Sequence, residues 1–593
     1  MKIKRDMINK KNLFLGFLAV IFLVGIFFRS YNFSDWLHFE LDQSRDAKVV
    51  GLALEQGIGN LPLLGPKAAG SFLRLGPLFY YTEYLSGLIF GNTPAGLAGI
   101  FLIFSCLTPV IFYLFIRRYF DKKVSVMLLA IFSASIFLIM YSRFAWNPNN
   151  IPFFILLFFY ALLRVVDIEE KKKGLWLLLA SLAFSFASQL HFVVLLSLPV
   201  IAIIFLSIKR PKISWKFWVG AFLILIFFYL PPIINDFKTG GENIAEFQKM
   251  FVKKSSNEKS NHTLSEKIIK SFEETSMGYL LVYSGYQKAE LPKLEEKSFL
   301  NFDVKCDQEC RTNLPFGVLA FLIFVSGVIL GLNKLFRDKE KGIRKDFLIL
   351  IAIYLITTLG LFVPIAYDLA PRFFLLVAPL AFIFLGLIFD FFKEKKVFLL
   401  TYLIVLILIL SNFLAIKQRF SEMARASQES FEIESDKILK ERHRVTLEQQ
   451  LMITNYIENI YEKNKFPVYI NSEAFYRRAF LYHLEQKNIP RDDFRNTGKN
   501  IYAQGNYFLI YPSNNTPEEI SEKYLDRYFI SEVKYFGTLT IVRVEPLPEF
   551  VNTVEQEFGP EKKPTSASGV PVRCRWNEIL GKCNQSGLEE NED

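Results

Sequence analysis

Apolar residues run in long stretches through the first 415 residues, and the polar turns between them alternate in charge. A helix needs about 20 apolar residues to cross a hydrocarbon layer of ~30 Å. About eleven stretches approach or meet that length: 12–29, 94–116, 124–141, 151–166, 174–190, 192–208, 215–233, 315–333, 347–364, 373–391 and 397–414. Every second connection is basic. The series opens with Lys2, Lys4, Arg5, Lys10 and Lys11, continues through Arg117/Arg118, Lys171–Lys173, Lys209/Arg210 and Arg344/Lys345, and closes on Lys393, Lys395 and Lys396. The intervening short turns contain only Arg143 and Arg372. By the positive-inside rule the N-terminus is cytoplasmic, and loops 30–93 and 234–314 and the polar chain after 415 are outside. The first apolar run lacks a small-residue cleavage pattern and is expected to remain as a span.

Composition fits this layout. Hydrophobic residues make up 52% of the chain, 62 residues are Phe, and the net charge of +11 is carried largely by the cytoplasmic turns. The basic excess therefore orients a membrane protein and implies no nucleic-acid partner. The expected fold class is a polytopic α-helical membrane protein of the cytoplasmic membrane, with a large first external loop and a small C-terminal α/β domain. Cys306/Cys310 and Cys574/Cys583 are close pairs in segments read as external, which favours disulfides over a metal site: no His or further Cys pair stands near "CDQEC".

The span centres are Phe, Leu, Ile and Ala with few ionisable positions, and the polar chemistry gathers at the outer ends. A transporter or lipid flippase, the alternative reading, calls for paired ionisable residues in mid-membrane. A structural or assembly protein without turnover is a third reading, and a carboxylate retained at Asp42 speaks against it. The first loop begins "RSYNFSDWLHFELDQSRDAKVVGLALEQG", with acids just beyond the membrane edge, and leads through a Gly/Pro connector into "GPLFYYTEYLSGLIFG". That second piece is short for a span and reads as an interfacial helix.

Four features in order resemble the GT-C superfamily of lipid-linked glycosyltransferases, specifically glycosyltransferase family 39, the dolichyl-phosphate-mannose protein mannosyltransferase-like group. They are "ELDQSRDA" after the first span, "GPLFYY" in the juxtamembrane helix, a span ending "RRYFDKK" followed by the outer turn "YSRFAWNPNN", and the later outer turn "YDLAPRFFLLVAP". The resemblance covers roughly residues 12–415. It implies a GT-C-like membrane domain that transfers one sugar from a polyprenyl-phosphate carrier to a protein, lipid or polysaccharide acceptor outside the membrane, with inversion. Gln43 departs from the family, which often has a second acid there, so a divalent metal is left open.

This chemistry needs a base for the attacking hydroxyl and cations for the departing phosphate. Asp42 is the expected base; its bland alternative is the N-cap of a helix starting near Gln43 or Ser44. Glu40 and Asp46 are further acids of the same motif. Arg372, at the mouth of a span, is the expected phosphate ligand, with interfacial snorkelling as its alternative. Arg143, Asn147 and Asn149 could line the same cavity, Arg74 and Lys67 could bind phosphate, His191 beside Gln189 could touch substrate, and Glu83 on the interfacial helix could contact the acceptor.

The expected domains are a catalytic membrane domain at 1–415, an extracytoplasmic α/β domain at 416–545, and a poorly ordered tail at 546–593 with a disulfide loop. A long charged helix at 417–464 opens the second, and strands alternate with helices after it. Loop 234–314 reads as a partial lid. The topology has a direct test: a cysteine placed at Ser513 should react with an impermeant thiol reagent in intact cells. Labelling only after lysis would overturn the orientation.

Overall fold

The computed structural model describes residues 2–68, 71–252, 262–298, 301–336, 342–434, 436–494, 501–552 and 572–583. Ten of its helices are long and apolar enough to cross a membrane. The first is α1 (Lys2–Ser30), and the others lie at Gly99–Ile116, Asn147–Val166, Lys173–Leu190, Phe192–Lys209, Trp215–Thr239, Gln308–Phe336, Ile343–Ile365, Pro371–Glu394 and Phe398–Arg425. The eleventh expected span, 124–141, breaks at Ser135 into Lys122–Ala134 and Ile136–Tyr141. A break inside an apolar bundle must satisfy its freed backbone groups internally. Asn412 of the last span accepts from Ile136 N–H at 2.9 Å and donates to the Tyr283 carbonyl at 2.8 Å, while Ser135 Oγ donates to the Val282 carbonyl at 2.6 Å.

The first long loop carries two helices, α2 (Leu41–Gln56) and α3 (Leu78–Phe90), the latter formed by the piece read from the sequence as an interfacial helix. Gly76 before α3 is required by close approach: a Cβ there would sit 1.9 Å from Gln189 Oε1. Helix Leu264–Ser284 differs from the expected lid. Its C-terminal half is buried, with Tyr279 edge-on to Phe324 at 5.4 Å and Gly278 against Phe374. The small residues of "ETSMGY" allow that approach, and a lid-like polar surface is confined to the first turns.

The expected long helix at 417–464 also differs. The last span continues to Arg425, an irregular segment follows, and a separate helix occupies Leu447–Asn464 with Thr446 as its N-cap. After a hairpin of β1 (Lys293–Ser298) and β2 (Asn301–Lys305) in loop 234–314, the remaining strands are β3 (Val468–Ser472), β4 (Arg491–Asp493), β5 (Ile501–Tyr502), β6 (Asn506–Pro512), β7 (Tyr528–Phe536), β8 (Leu539–Pro546) and β9 (Val551–Asn552). Five form a mixed sheet in the order β4-β3-β6-β8-β7, parallel at β4-β3-β6 and antiparallel beyond, with helix Ala474–Gln486 crossing between β3 and β4. The β7–β8 turn uses Gly537 at φ +64°, where a Cβ would collide with the Ala426 carbonyl. Glycine is the residue that takes this conformation freely, and Thr538 N–H then reaches that carbonyl at 2.9 Å.

This domain docks on the first loop. Gln450 Nε2 donates to the Phe39 carbonyl at 2.8 Å, Glu448 N–H to the Asp35 carbonyl at 3.0 Å, and the rings of Tyr482 and His483 cover buried Phe39. Both expected disulfides, Cys306–Cys310 and Cys574–Cys583, are present. Much of the tail expected to be poorly ordered, 553–571 and 584–593, lies outside the described residues, but 572–583 folds back onto the first loop, where Leu63 N–H reaches the Cys574 carbonyl at 2.8 Å.

Candidate active site

The alternation of the helices brings four segments to one end of the bundle: the chain after α1, the turn after Tyr141, the turn before Phe374, and the segment after Arg425. Together with the start of helix Ala474–Gln486 they enclose a cavity of about 230 Å³. Its walls carry Glu40, Asp42 and His38 from the first loop, Trp146 from the second turn, Arg372 from the third, and Lys440, Glu441 and Arg442 from the segment that follows.

Asp42 is not the cap of α2. That helix begins at Leu41 with Glu40 at the N-cap position, and Gln43 Oε1 accepts from Glu40 N–H at 3.1 Å. Asp42 lies in the first helical turn, where a carboxylate also suits the helix dipole. Arg45 grips its Oδ1 at 2.9 Å, and the Trp146 indole N–H donates to its Oδ2 at 3.1 Å. Its side chain remains 38% exposed. The Arg372 guanidinium stacks over the same Trp146 ring at 5.5 Å.

A dense buried charge network stands behind this surface. Arg419 pairs with Asp436 and with Glu441 at 2.7 Å, and Arg444 pairs with Glu422 at 2.8 Å, Asp436 at 2.9 Å and Glu441 at 2.6 Å. The other oxygen of Glu441 meets His38 Nδ1 at 2.9 Å, and His38 Nε2 faces Glu40 at 3.5 Å. Burial alone would raise the Glu441 pKa, but Arg419 and Arg444 hold it well below the usual carboxylate range. Glu40 has no such partners, and burial pushes it up to about 7, Glu441 adding to the shift and His38 opposing it. Burial also works against a charged His38, yet its two carboxylate neighbours raise its pKa. The ligand atoms of His38, Glu40 and Glu441 lie within 4.8 Å of one another, a spacing a small cation could use. Each imidazole nitrogen already faces a carboxylate, so a proton serves the same electrostatic end, and a metal would have to displace it.

The remaining expected residues do not line the cavity. Arg143 donates to the carbonyls of Phe28, Arg29, Tyr31 and Asn32 and closes the end of α1. Asn147 donates to the Leu190 carbonyl at 2.8 Å, and Asn149 to the Phe144 carbonyl. His191 caps the next helix through Val193 N–H, and burial, with Arg372 nearby, lowers its pKa to about 3. Gln189 braces α3 through Leu78 N–H. Arg74 is buried beside the Gly65 carbonyl, and Lys67 lies over the Phe72 ring. Asp46 is fully buried and bound to Arg45 and Tyr80; Glu83 is buried near it, and burial holds its pKa well above the ordinary value. Sequence reasoning missed His38 and the whole 436–444 segment. Its only signal is "DKILKERHR", charged residues at no helical repeat.

Residues 75–234 match the family model described as dolichyl-phosphate-mannose-protein mannosyltransferase. The chain resembles the GT-C glycosyltransferases. The matched segment includes α3 and Trp146, while Asp42 and Arg372 fall outside it. Among solved structures, the chain is similar to ArnT from Cupriavidus metallidurans bound to undecaprenyl phosphate, at 9% identity over 91% of this chain and 98% of that one, with a TM-score of 0.47. It is similar also to the archaeal oligosaccharyltransferase AglB from Archaeoglobus fulgidus, in complex with an inhibitory peptide and a dolichol-phosphate, at 12% identity over 85% and 70% of the two chains, with a TM-score of 0.46. No curated protein matches the sequence significantly.

The shifts at Glu40 and His38 set a pH dependence. Folded Glu40 holds its proton from 4.5 up to about 7, a range in which the unfolded chain has released it. Folded His38 likewise holds a proton above 6.5. Both contributions favour folding at the acid side and are lost as pH rises, whereas that of Glu441 is lost only in strong acid. Replacing Glu40 removes its share of this dependence, so Glu40→Gln should raise the thermal unfolding midpoint in detergent more at pH about 8 than at about 5.5. Identical pH slopes for variant and wild type would remove Glu40 from this account.

Proposed function

We propose that the chain is a membrane glycosyltransferase that moves a sugar from a polyprenyl-phosphate carrier to an acceptor on the outer face of the cytoplasmic membrane, with inversion and with Asp42 as general base. The observation that carries this reading is the shared cavity: a solvent-reachable carboxylate and a guanidinium, both anchored to Trp146, with the family match running through that turn. The other cavity acids suit the role less well. Glu441 is saturated by two arginines and His38, Glu40 is half-buried and faces His38, and Glu473 lies near Arg442 at 3.8 Å and His443 at 3.9 Å.

In this reading Asp42 takes the proton of the acceptor hydroxyl as that oxygen bonds to the anomeric carbon. The bond from that carbon to the carrier's phosphate oxygen breaks with its electron pair, and the phosphate leaves bearing the charge. Arg372 offers a planar fork to that phosphate, and such a fork binds phosphate bidentately. Arg45 and the Trp146 indole hold Asp42 in one orientation, which is what a base needs in order to meet a hydroxyl within hydrogen-bond reach.

Asp42→Asn keeps the size and the Trp146 contact but cannot accept a proton. Turnover should fall roughly 10²–10⁴-fold while carrier binding and thermal stability persist; near-normal sugar release would leave the mechanism without its base. Arg372→Ala should weaken carrier binding by about 2–5 kcal/mol, and Arg372→Lys should restore only part of it because the fork is lost. Unchanged carrier affinity in Arg372→Ala would reduce the residue to an anchor on Trp146.

A further inference from the structure

The C-terminal hook, residues 572–583, is fastened to the first loop and to the end of helix Trp215–Thr239. Asn235 accepts from Cys574 N–H at 2.9 Å and donates to the Val572 carbonyl at 3.0 Å, and Lys238 Nζ donates to the carbonyls of Glu578, Ile579 and Gly581 at 2.6–2.8 Å. The Cys574–Cys583 bond closes the hook. On the other side, Trp576 N–H reaches the Leu61 carbonyl at 3.2 Å, and its indole donates to Tyr81 OH at 2.7 Å. A solvated tail has no use for so many directed bonds.

One side chain of the hook reaches inward. Arg573 is buried, its guanidinium 5.8 Å from the Tyr80 ring centre and one nitrogen 3.4 Å from Tyr80 OH. Tyr80 is fully buried and donates to Asp46 Oδ1 at 3.1 Å. Asp46, with no exposed surface, accepts from Arg45 at 2.9 Å, and the same guanidinium reaches Asp42 at 2.9 Å. An unbroken path of charged and hydrogen-bonded groups thus leads from the end of the chain to the cavity. The Arg573 cation lies on the far side of Tyr80 from Asp46, and Arg74 is a second cation near that hydroxyl.

We propose that Arg573 is a positioning residue: through Tyr80 and Asp46 it fixes the Arg45 fork, and with it the orientation of Asp42, so that the hook completes the reaction centre without touching substrate. The proposal rests on Asp42 acting as base, and the test separates the two. Full-length protein in nanodiscs is compared as wild type, Arg573→Met, Arg573→Lys and Tyr80→Phe, the last leaving every backbone contact of the hook in place. Hydrogen exchange of the α2 amides should accelerate in Arg573→Met and Tyr80→Phe while the spans stay protected.

With a panel of polyprenyl-phosphate-linked hexoses and pentoses as donors, kcat should fall by up to about 100-fold, the scale of a reacting group displaced by about 1 Å. KM for the donor should stay unchanged, and Arg573→Lys should recover most of kcat. A hook that serves stability alone would give no split between kcat and KM and no rescue by Lys, which would overturn the proposal. Unchanged α2 exchange in both Arg573→Met and Tyr80→Phe would overturn it as well. A wild-type protein that transfers no sugar from any donor would count against the function, and the exchange measurement would still decide whether the hook orders α2.

Discussion

The site depends on a cluster of charges that water barely reaches. Arg419 and Arg444 are opposed by Glu422, Asp436 and Glu441, with His38 on the far side of Glu441. Removing charges from water is costly, and such a cluster persists only when each member is bonded. Here the members come from three parts of the chain: the end of the last span, the segment after it, and the first loop. Arg444 meets Asp436 and Glu441 inside its own segment, while Arg419, Glu422 and His38 reach it from the other two parts, so these bonds add direction to the apolar burial of Ile438, which by itself carries little directional information. The loss of any one partner would strand a buried charge, at a cost on the order of 3–5 kcal/mol.

This network explains why the cavity has a polar wall that the membrane half cannot supply. The turns at one end of the bundle contribute Trp146 and Arg372, and α2 contributes Asp42, all of them set by local turns and caps. The 438–442 stretch closes the opposite side, held there by its charge pairs and by Tyr141 OH, which donates to the Ile438 carbonyl at 2.7 Å. The membrane helices and the α/β domain share one site, and neither holds it alone.

What could be read from the sequence follows from the range of the forces involved. Span positions are set by residue hydropathy, a local quantity, and ten of the expected helices are present, although several run beyond their apolar stretch, the last as far as Arg425. The break at Ser135 was not legible because its compensating groups, Asn412 and the Val282 carbonyl, stand far away in the chain. Asp42 stood out within an acidic motif just beyond the first span and Arg372 as an isolated charge at a span mouth, whereas Arg143, equally isolated, turns its guanidinium onto four carbonyls of the α1 end. Nothing in its neighbours distinguishes it from Arg372. His38 and Glu441 were passed over because a lone His and a charged connector look solvated until their partners are known.

His38 and Glu441 meet across 403 positions of sequence. During synthesis at about 5–20 residues per second, the first loop would emerge roughly 20–80 s before its partner segment leaves the ribosome. Throughout that interval α2 would stand without the wall that half-buries His38 and Glu40. The nascent protein would thus carry an incomplete cavity beside a membrane already stocked with lipid. A segment made about 400 residues later closes it, so the order of synthesis itself would delay the completion of the cavity.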